Sequence, residues 1–171
     1  MLDPRQVELF QHWKSLCPKP GQPPPRAAFD PIDVPSAMST LVLVEVTGTE
    51  LTFRVVGTDQ VNAWGMDYTG RTLSQIMSGD YHTFIRGLYD QTVETKSCVF
   101  SRSRFQWDKG RTLDTKRLMM PLTSNEAPDT VQYILASQVF DYGSTGPEKP
   151  VIAMGDEVER IELARSVLDS Y

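Results

Sequence analysis

Few residues in this chain combine the type and spacing that chemistry requires. Its two histidines, His12 and His82, lie in distant segments, and neither has a cysteine or second histidine at metal-ligand spacing. Cys17 and Cys98 are too few for a disulfide framework, and Cys98 falls in a predicted strand, where it reads as a small buried hydrophobe. Ser36, Ser39 and the other serines lack the Gly-x-Ser-x-Gly turn that exposes a nucleophile. Gly65-Met66-Asp67-Tyr68-Thr69-Gly70 has neither the Gly-x-Gly-x-x-Gly spacing nor the Lys-Ser/Thr ending of a phosphate loop. Asp30 and Asp33 flank prolines and read as turn residues rather than an acid–base pair. These readings predict no catalytic residue, no metal ligand and no enzyme.

The charged residues point the same way. With 17 basic and 22 acidic residues the net charge is −5, which argues against a dedicated nucleic-acid binder. The basic residues are uneven, however: Arg102, Arg104, Lys109, Arg111, Lys116 and Arg117 face only Asp108 and Asp114 over residues 101–117. That run reads either as a solvated hairpin face or as a docking surface for an acidic partner.

The elements that must position these groups are legible from periodicity. Residues 4–17 predict an amphipathic helix with Asp3 as cap, Pro4 at its first position, Gln6 completing a capping box and a Leu2–Val7 staple. Its apolar face is Val7, Phe10, Trp13 and Cys17, with Leu9 and Leu16 beside them. Residues 18–28 form a linker, because the prolines of Pro18–Pro25 cannot continue a helix. Asp33 or Ser36 can cap a helical turn through Met38. Leu41–Val46 and Leu51–Val56 predict a hairpin about Thr47-Gly48-Thr49-Glu50. Short helices fit 58–64 and 73–77, and a long helix over 80–96 carries Tyr81, Phe84, Ile85, Leu88, Tyr89 and Val93 at three- and four-residue intervals. Residues 98–107 and 112–122 read as strands about Asp108-Lys109-Gly110, and 129–140 as a fifth. The tail predicts a helix over 156–168, with Asp156 and Glu159 at capping spacing and a stripe of Val158, Ile161, Ala164 and Leu168.

Helices collected between strands two and three of an antiparallel sheet make an α+β layout. Four patches sharpen it: Phe29-Asp30-Pro31-Ile32-Asp33-Val34-Pro35, Phe53-Arg54-Val55-Val56-Gly57-Thr58, Gly70-Arg71-Thr72-Leu73 and Leu118-Met119-Met120-Pro121-Leu122. Their order and spacing resemble the PAS domain, in particular the short single-PAS proteins of alphaproteobacteria. The resemblance implies a PAS-like five-stranded sheet over residues 29–142, with N- and C-terminal helical extensions and a tail over 143–171.

The resemblance also frames the cofactor question. Flavin-binding photosensory relatives place an adduct-forming cysteine after the Gly-Arg turn, where this chain has Leu73, so adduct photochemistry is not expected, while a non-covalent flavin stays open. Haem-binding relatives use a histidine on the long helix, and His82 sits at its first turn, poorly placed for the cradle. The remaining possibility is a small organic ligand between sheet and long helix. Phe53, Trp64, Ile85, Tyr89, Leu118, Met120 and Ile134 are candidates to line that cradle, with Arg54 or Arg71 as anchor for a carboxylate or phosphate; the same side chains also serve as core.

The function expected from the resemblance is a stand-alone sensory or interaction module in signal transduction, without catalytic output. Two readings stay beside it: an adaptor whose cradle is filled by side chains, and a small α+β enzyme of the isomerase or hydratase kind. A homodimer through the N-terminal helix is expected, and contact with a signalling protein is possible. No apolar run approaches the roughly 18–20 residues that span a bilayer, and Met1-Leu2-Asp3-Pro4-Arg5 opens no signal peptide, so the expected location is the cytoplasm.

Overall fold

The computed structural model describes residues 1–106, 112–143 and 159–168. The Asp108-Lys109-Gly110 turn and the Asp156 cap lie outside them. Six strands form one antiparallel sheet in the order β2-β1-β5-β4-β3-β6: β1 (Leu41–Thr47), β2 (Glu50–Val56), β3 (Cys98–Gln106), β4 (Thr112–Leu122), β5 (Tyr133–Asp141) and β6 (Glu159–Leu168). The helices α2 (Thr58–Trp64), α3 (Leu73–Ile76) and α4 (Gly79–Thr95) lie between β2 and β3 in sequence. This is an α+β fold of the PAS type.

Side-chain alternation divides the core in two. Val42, Val44, Met119, Ile134 and Ala136 face one cluster, with Phe53, Trp64, Ile85 and Tyr89. Leu41, Leu43, Leu118, Met120 and Leu135, one residue out of phase, face the other. The first cluster fills the cradle beneath α2–α4; the second is covered by α1 (Pro4–Ser15).

Helix α1 begins as its sequence predicts. Asp3 accepts from Arg5 N, and the capping box with Gln6 is complete. Its buried face, however, is Gln6, Leu9 and Trp13, while Val7 is 39% exposed. Gln6 Nε2 donates to the carbonyls of Lys116 (3.1 Å) and Ser137 (3.0 Å), and Trp13 Nε1 donates to Pro121 O at 3.0 Å. These polar ties fix which face turns inward. The helix buries Leu9 and Trp13 against its own sheet and leaves Val7 exposed, with Phe10 half-buried.

The proline segment is docked rather than free. Pro23 and Pro24 are buried, Arg26 N donates to Thr123 O at 2.8 Å, and Thr123 N donates to Pro24 O at 3.0 Å. Single helical turns at Arg26–Ala28, Pro31–Asp33 and Pro35–Thr40 lead into β1. Gly57 marks the hinge from β2 into α2, and its amide donates to Leu41 O at 2.7 Å. A Cβ there would run into the backbone carbonyl of Ser39 and come within 2.8 Å of Leu41 O, so close approach, not a special dihedral, demands glycine.

The tail corrects the sequence reading. Residues 159–168 form a strand paired antiparallel with β3, not a helix, and add a sixth strand to the five expected. The helical stripe through Ile161, Ala164 and Leu168 coexists with a period-two pattern, because Ile161 and Leu163 alternate with Arg160 and Glu162. The open hydrogen-bonding edge of β3 decides between the two, a tertiary influence that local periodicity does not register. Among the described residues no helix is long and apolar enough to cross a membrane.

Candidate functional site

The cradle is an aromatic box built from three elements. Helix α4 presents Tyr81, Ile85 and Tyr89 one turn apart, β2 contributes Phe53, and the end of α2 places Trp64 over them. The rings interlock: Phe53 meets Tyr68 edge-on at 4.8 Å, Trp64 lies 5.7 Å from Tyr81, and Tyr81 meets Phe105 edge-on at 5.4 Å. The space they leave is about 20 Å³, enough for one water-sized group.

One side chain does not belong to an ordinary core. Arg117, on the cradle face of β4, is 2% exposed. Its Nη1 donates to Ser103 Oγ at 2.7 Å and its Nη2 to Tyr81 OH at 3.2 Å. The guanidinium also lies 5.7 Å from the Phe84 ring centroid and 5.9 Å from that of Phe105. No carboxylate pairs with it among the described residues, and its Nε has no hydrogen-bond partner. Burying a guanidinium without a counter-charge costs several kcal/mol in order of magnitude, even after relaxation.

Two further residues of the same wall carry a donor without a partner among the described residues: Trp64 Nε1 and Gln138 Nε2. Gln138 is the register partner of Arg117 across β4 and β5. Its carbonyl accepts from Gln60 Nε2 at 3.3 Å, and Gln60 Oε1 accepts from Tyr68 OH at 3.3 Å. Burial pushes the Tyr68 and Tyr89 hydroxyls well above the ordinary phenol range, so both stay protonated at neutral pH. Strand β6 adds cations at the rim. Arg160 stacks 3.8 Å from the Phe84 centroid and Arg165 lies 5.4 Å from it, Arg165 being paired with Glu162 at 2.6 Å. Burial holds the Arg160 guanidinium below its ordinary range.

The sequence-predicted site residues divide sharply. Phe53, Trp64, Ile85 and Tyr89 line the cavity, and Ile134 packs in the same cluster. Leu118 and Met120 point to the opposite face, beneath α1, because the strand register puts Met119 inward instead. Arg54 is exposed and donates to Glu45 Oε2 at 2.6 Å. Arg71 is exposed too, and only its backbone serves the site, accepting from Phe53 N at 3.0 Å and donating to Tyr68 O at 3.1 Å. The arginine whose side chain lines the cavity is Arg117.

Two other arginines of the basic run, Arg102 and Arg104, are paired with Asp114 on the outer face. Arg104 donates to both Asp114 oxygens, at 2.5 and 2.9 Å, and Arg102 to one at 2.8 Å. The Arg104 hydrogen bond, opposed in part by burial, holds the Asp114 carboxyl below its ordinary range. Lys109 and Arg111 lie outside the described residues. Burial raises the Cys17 thiol to about 11 and the Cys98 thiol further, which makes both poor nucleophiles. His82, at the start of α4, meets Ser74 Oγ at 3.3 Å and does not border the cavity. Among the described residues no group of three or more His, Cys, Asp or Glu is placed to hold a metal.

An antiparallel sheet with an aromatic cradle beneath one long helix defines the α+β domain. The chain belongs to the PAS domain family, whose model matches residues 1–136. That match takes in α1 and the proline segment, which therefore fall inside the family's extent rather than flanking it. No curated protein matches the chain. Among solved structures it is similar to the crystal structure of a Rhodobacter sphaeroides LOV protein, at 14% identity and a TM-score of 0.47, covering 86% of this chain and 73% of that one. A variant of RsLOV is similar at 16% identity and a TM-score of 0.47, covering 65% of each chain. A light-oxygen-voltage domain studied with a flavin analogue is similar at 13% identity and a TM-score of 0.46, covering 63% of this chain and 80% of that one.

The position that follows the Gly-Arg-Thr turn holds Leu73, 1% exposed and packed in the core, so no thiol stands there to form a flavin adduct.

Proposed function

We propose that this PAS domain is a sensory and interaction module that holds a small ligand in its cradle and relays occupancy to a partner protein. The observation that carries this reading is Arg117, a buried guanidinium with no carboxylate partner among the described residues, in a site otherwise built as core. A chain selected for stability alone gains nothing from it, since an apolar residue of similar volume would serve packing as well. The chemistry on the wall favours binding over catalysis. Its titratable groups are tyrosines held protonated and a guanidinium, which donate hydrogen bonds but do not abstract protons.

The relay runs through α4 and the sheet. Tyr81 ties α4 to Arg117, while Arg160 and Arg165 tie β6 to the same helix through Phe84. A ligand that engages Arg117 alters the contacts of both. The small cavity favours a second reading, an adaptor with a filled cradle that acts by protein contact alone. Native mass spectrometry with an absorption spectrum on freshly purified protein separates the two. A bound mass supports the sensor, and a bare chain supports the adaptor.

A further inference from the structure

We infer that the ligand of this cradle is a small organic carboxylate whose charged head is received by Arg117, Trp64 and Gln138; this rests on the ligand-binding reading above. Among the described residues, three side chains that line one cavity each carry a buried donor without a partner: Arg117 Nε, Trp64 Nε1 and Gln138 Nε2. Arginine and tryptophan carry no acceptor, so a guest there must accept. The hydroxyl of Tyr81 accepts from Arg117, and that of Tyr68 donates to Gln60. A carboxylate accepts only, and it supplies the single negative charge that Arg117 lacks.

Size and shape narrow the class. The space of about 20 Å³ seats one water-sized group, such as a carboxylate oxygen, rather than a bulkier phosphate. Around it the wall is aromatic and apolar, suited to a hydrocarbon or ring-bearing body. Met77 is a half-exposed residue of that wall, and its unbranched thioether changes rotamer at low cost, so the body of the guest would take the space that Met77 now fills.

The test pairs formate, acetate and benzoate with formamide, acetamide and benzamide. The protein is ¹⁵N-labelled, and the Trp64 indole Nε1–H resonance, assigned through Trp64→Phe, reports on the cavity. At least one carboxylate is expected to shift that resonance and to bind at least tenfold more tightly than its amide. Arg117→Gln should abolish the preference, and Arg117→Lys should retain part of it and guard against a folding artefact. Amides that act as strongly as the acids, or a preference that survives in Arg117→Gln, would overturn the carboxylate assignment while leaving a ligand-binding cradle. No shift from any of the six would overturn both.

Discussion

Arg117 and Gln138 face each other as register partners across β4 and β5, and both border the cradle. The pairing puts a buried cation beside an amide nitrogen that has no acceptor of its own. Three residues earlier on the same strand, Asp114 neutralises Arg102 and Arg104 on the opposite face. The sheet thus separates two kinds of arginine from a single basic run. Those facing outward are paired with a carboxylate, and the one facing inward is held only by hydroxyls and rings.

If Arg117 serves binding rather than folding, its removal should not harm the fold. Arg117→Met fills similar volume and deletes an unpaired buried charge. We expect stability in urea at pH 7 to be unchanged or up to about 2 kcal/mol higher, in line with replacements of buried ionic groups by apolar ones. A loss of more than about 3 kcal/mol would instead make Arg117 a structural residue.

Gly57 should tolerate no side chain. The Cβ of Gly57→Ala meets the Ser39 and Leu41 carbonyls, which are backbone and cannot rotate away. We expect a loss of about 1–3 kcal/mol or more, the range of overpacked sites, measured by urea denaturation. Gly48→Ala, at a turn with nothing within 4 Å but a φ of +59°, should cost about 1 kcal/mol through strain alone.

Helix α1 should behave as part of the core. Trp13 is fully buried, so Trp13→Ala should cost about 3–5 kcal/mol. Trp13→Phe keeps most of the packing but orphans the Pro121 carbonyl, for about 1–3 kcal/mol. Deleting residues 1–20 bares Leu118, Met120 and Leu135. Circular dichroism and light scattering on that truncation should show unfolding or aggregation, not a folded chain of altered stoichiometry.

The Asp114 pair should make stability acid-sensitive. Its carboxyl is held down in the folded state, chiefly by the Arg104 hydrogen bond, relative to about 3.9 when unfolded. The unfolded chain therefore binds the proton first, and this contribution, complete above about pH 5, declines as the pH falls through the folded-state value. The stability advantage of wild type over Asp114→Asn should thus shrink between pH 6 and pH 2.5 in urea titrations.

How much of this was legible depended on whether local pattern or tertiary pairing made the choice. The hairpin ending at Gly57, the capped start of α1 and the spacing along α4 are local, and they stand in the fold as their residues predict. So do Phe53, Trp64, Ile85 and Tyr89 as cavity residues. Leu118 and Met120 went astray because a register error of one residue reverses every side chain in a strand. A signal existed nonetheless: the charged Asp114 and Lys116 mark the outer face, so Arg117 and Met119, of opposite parity, turn inward. Strand β6 had no such signal, since its sequence satisfies both periods and only the free edge of β3 selects one.

The central claim, that the cradle is a ligand seat organised by Arg117, is tested most directly by native mass spectrometry of the full chain and of Arg117→Met, purified side by side. The account predicts a bound small-molecule mass on the wild-type protein that is missing from the variant. A bare wild-type chain, or the same mass on both proteins, would contradict it.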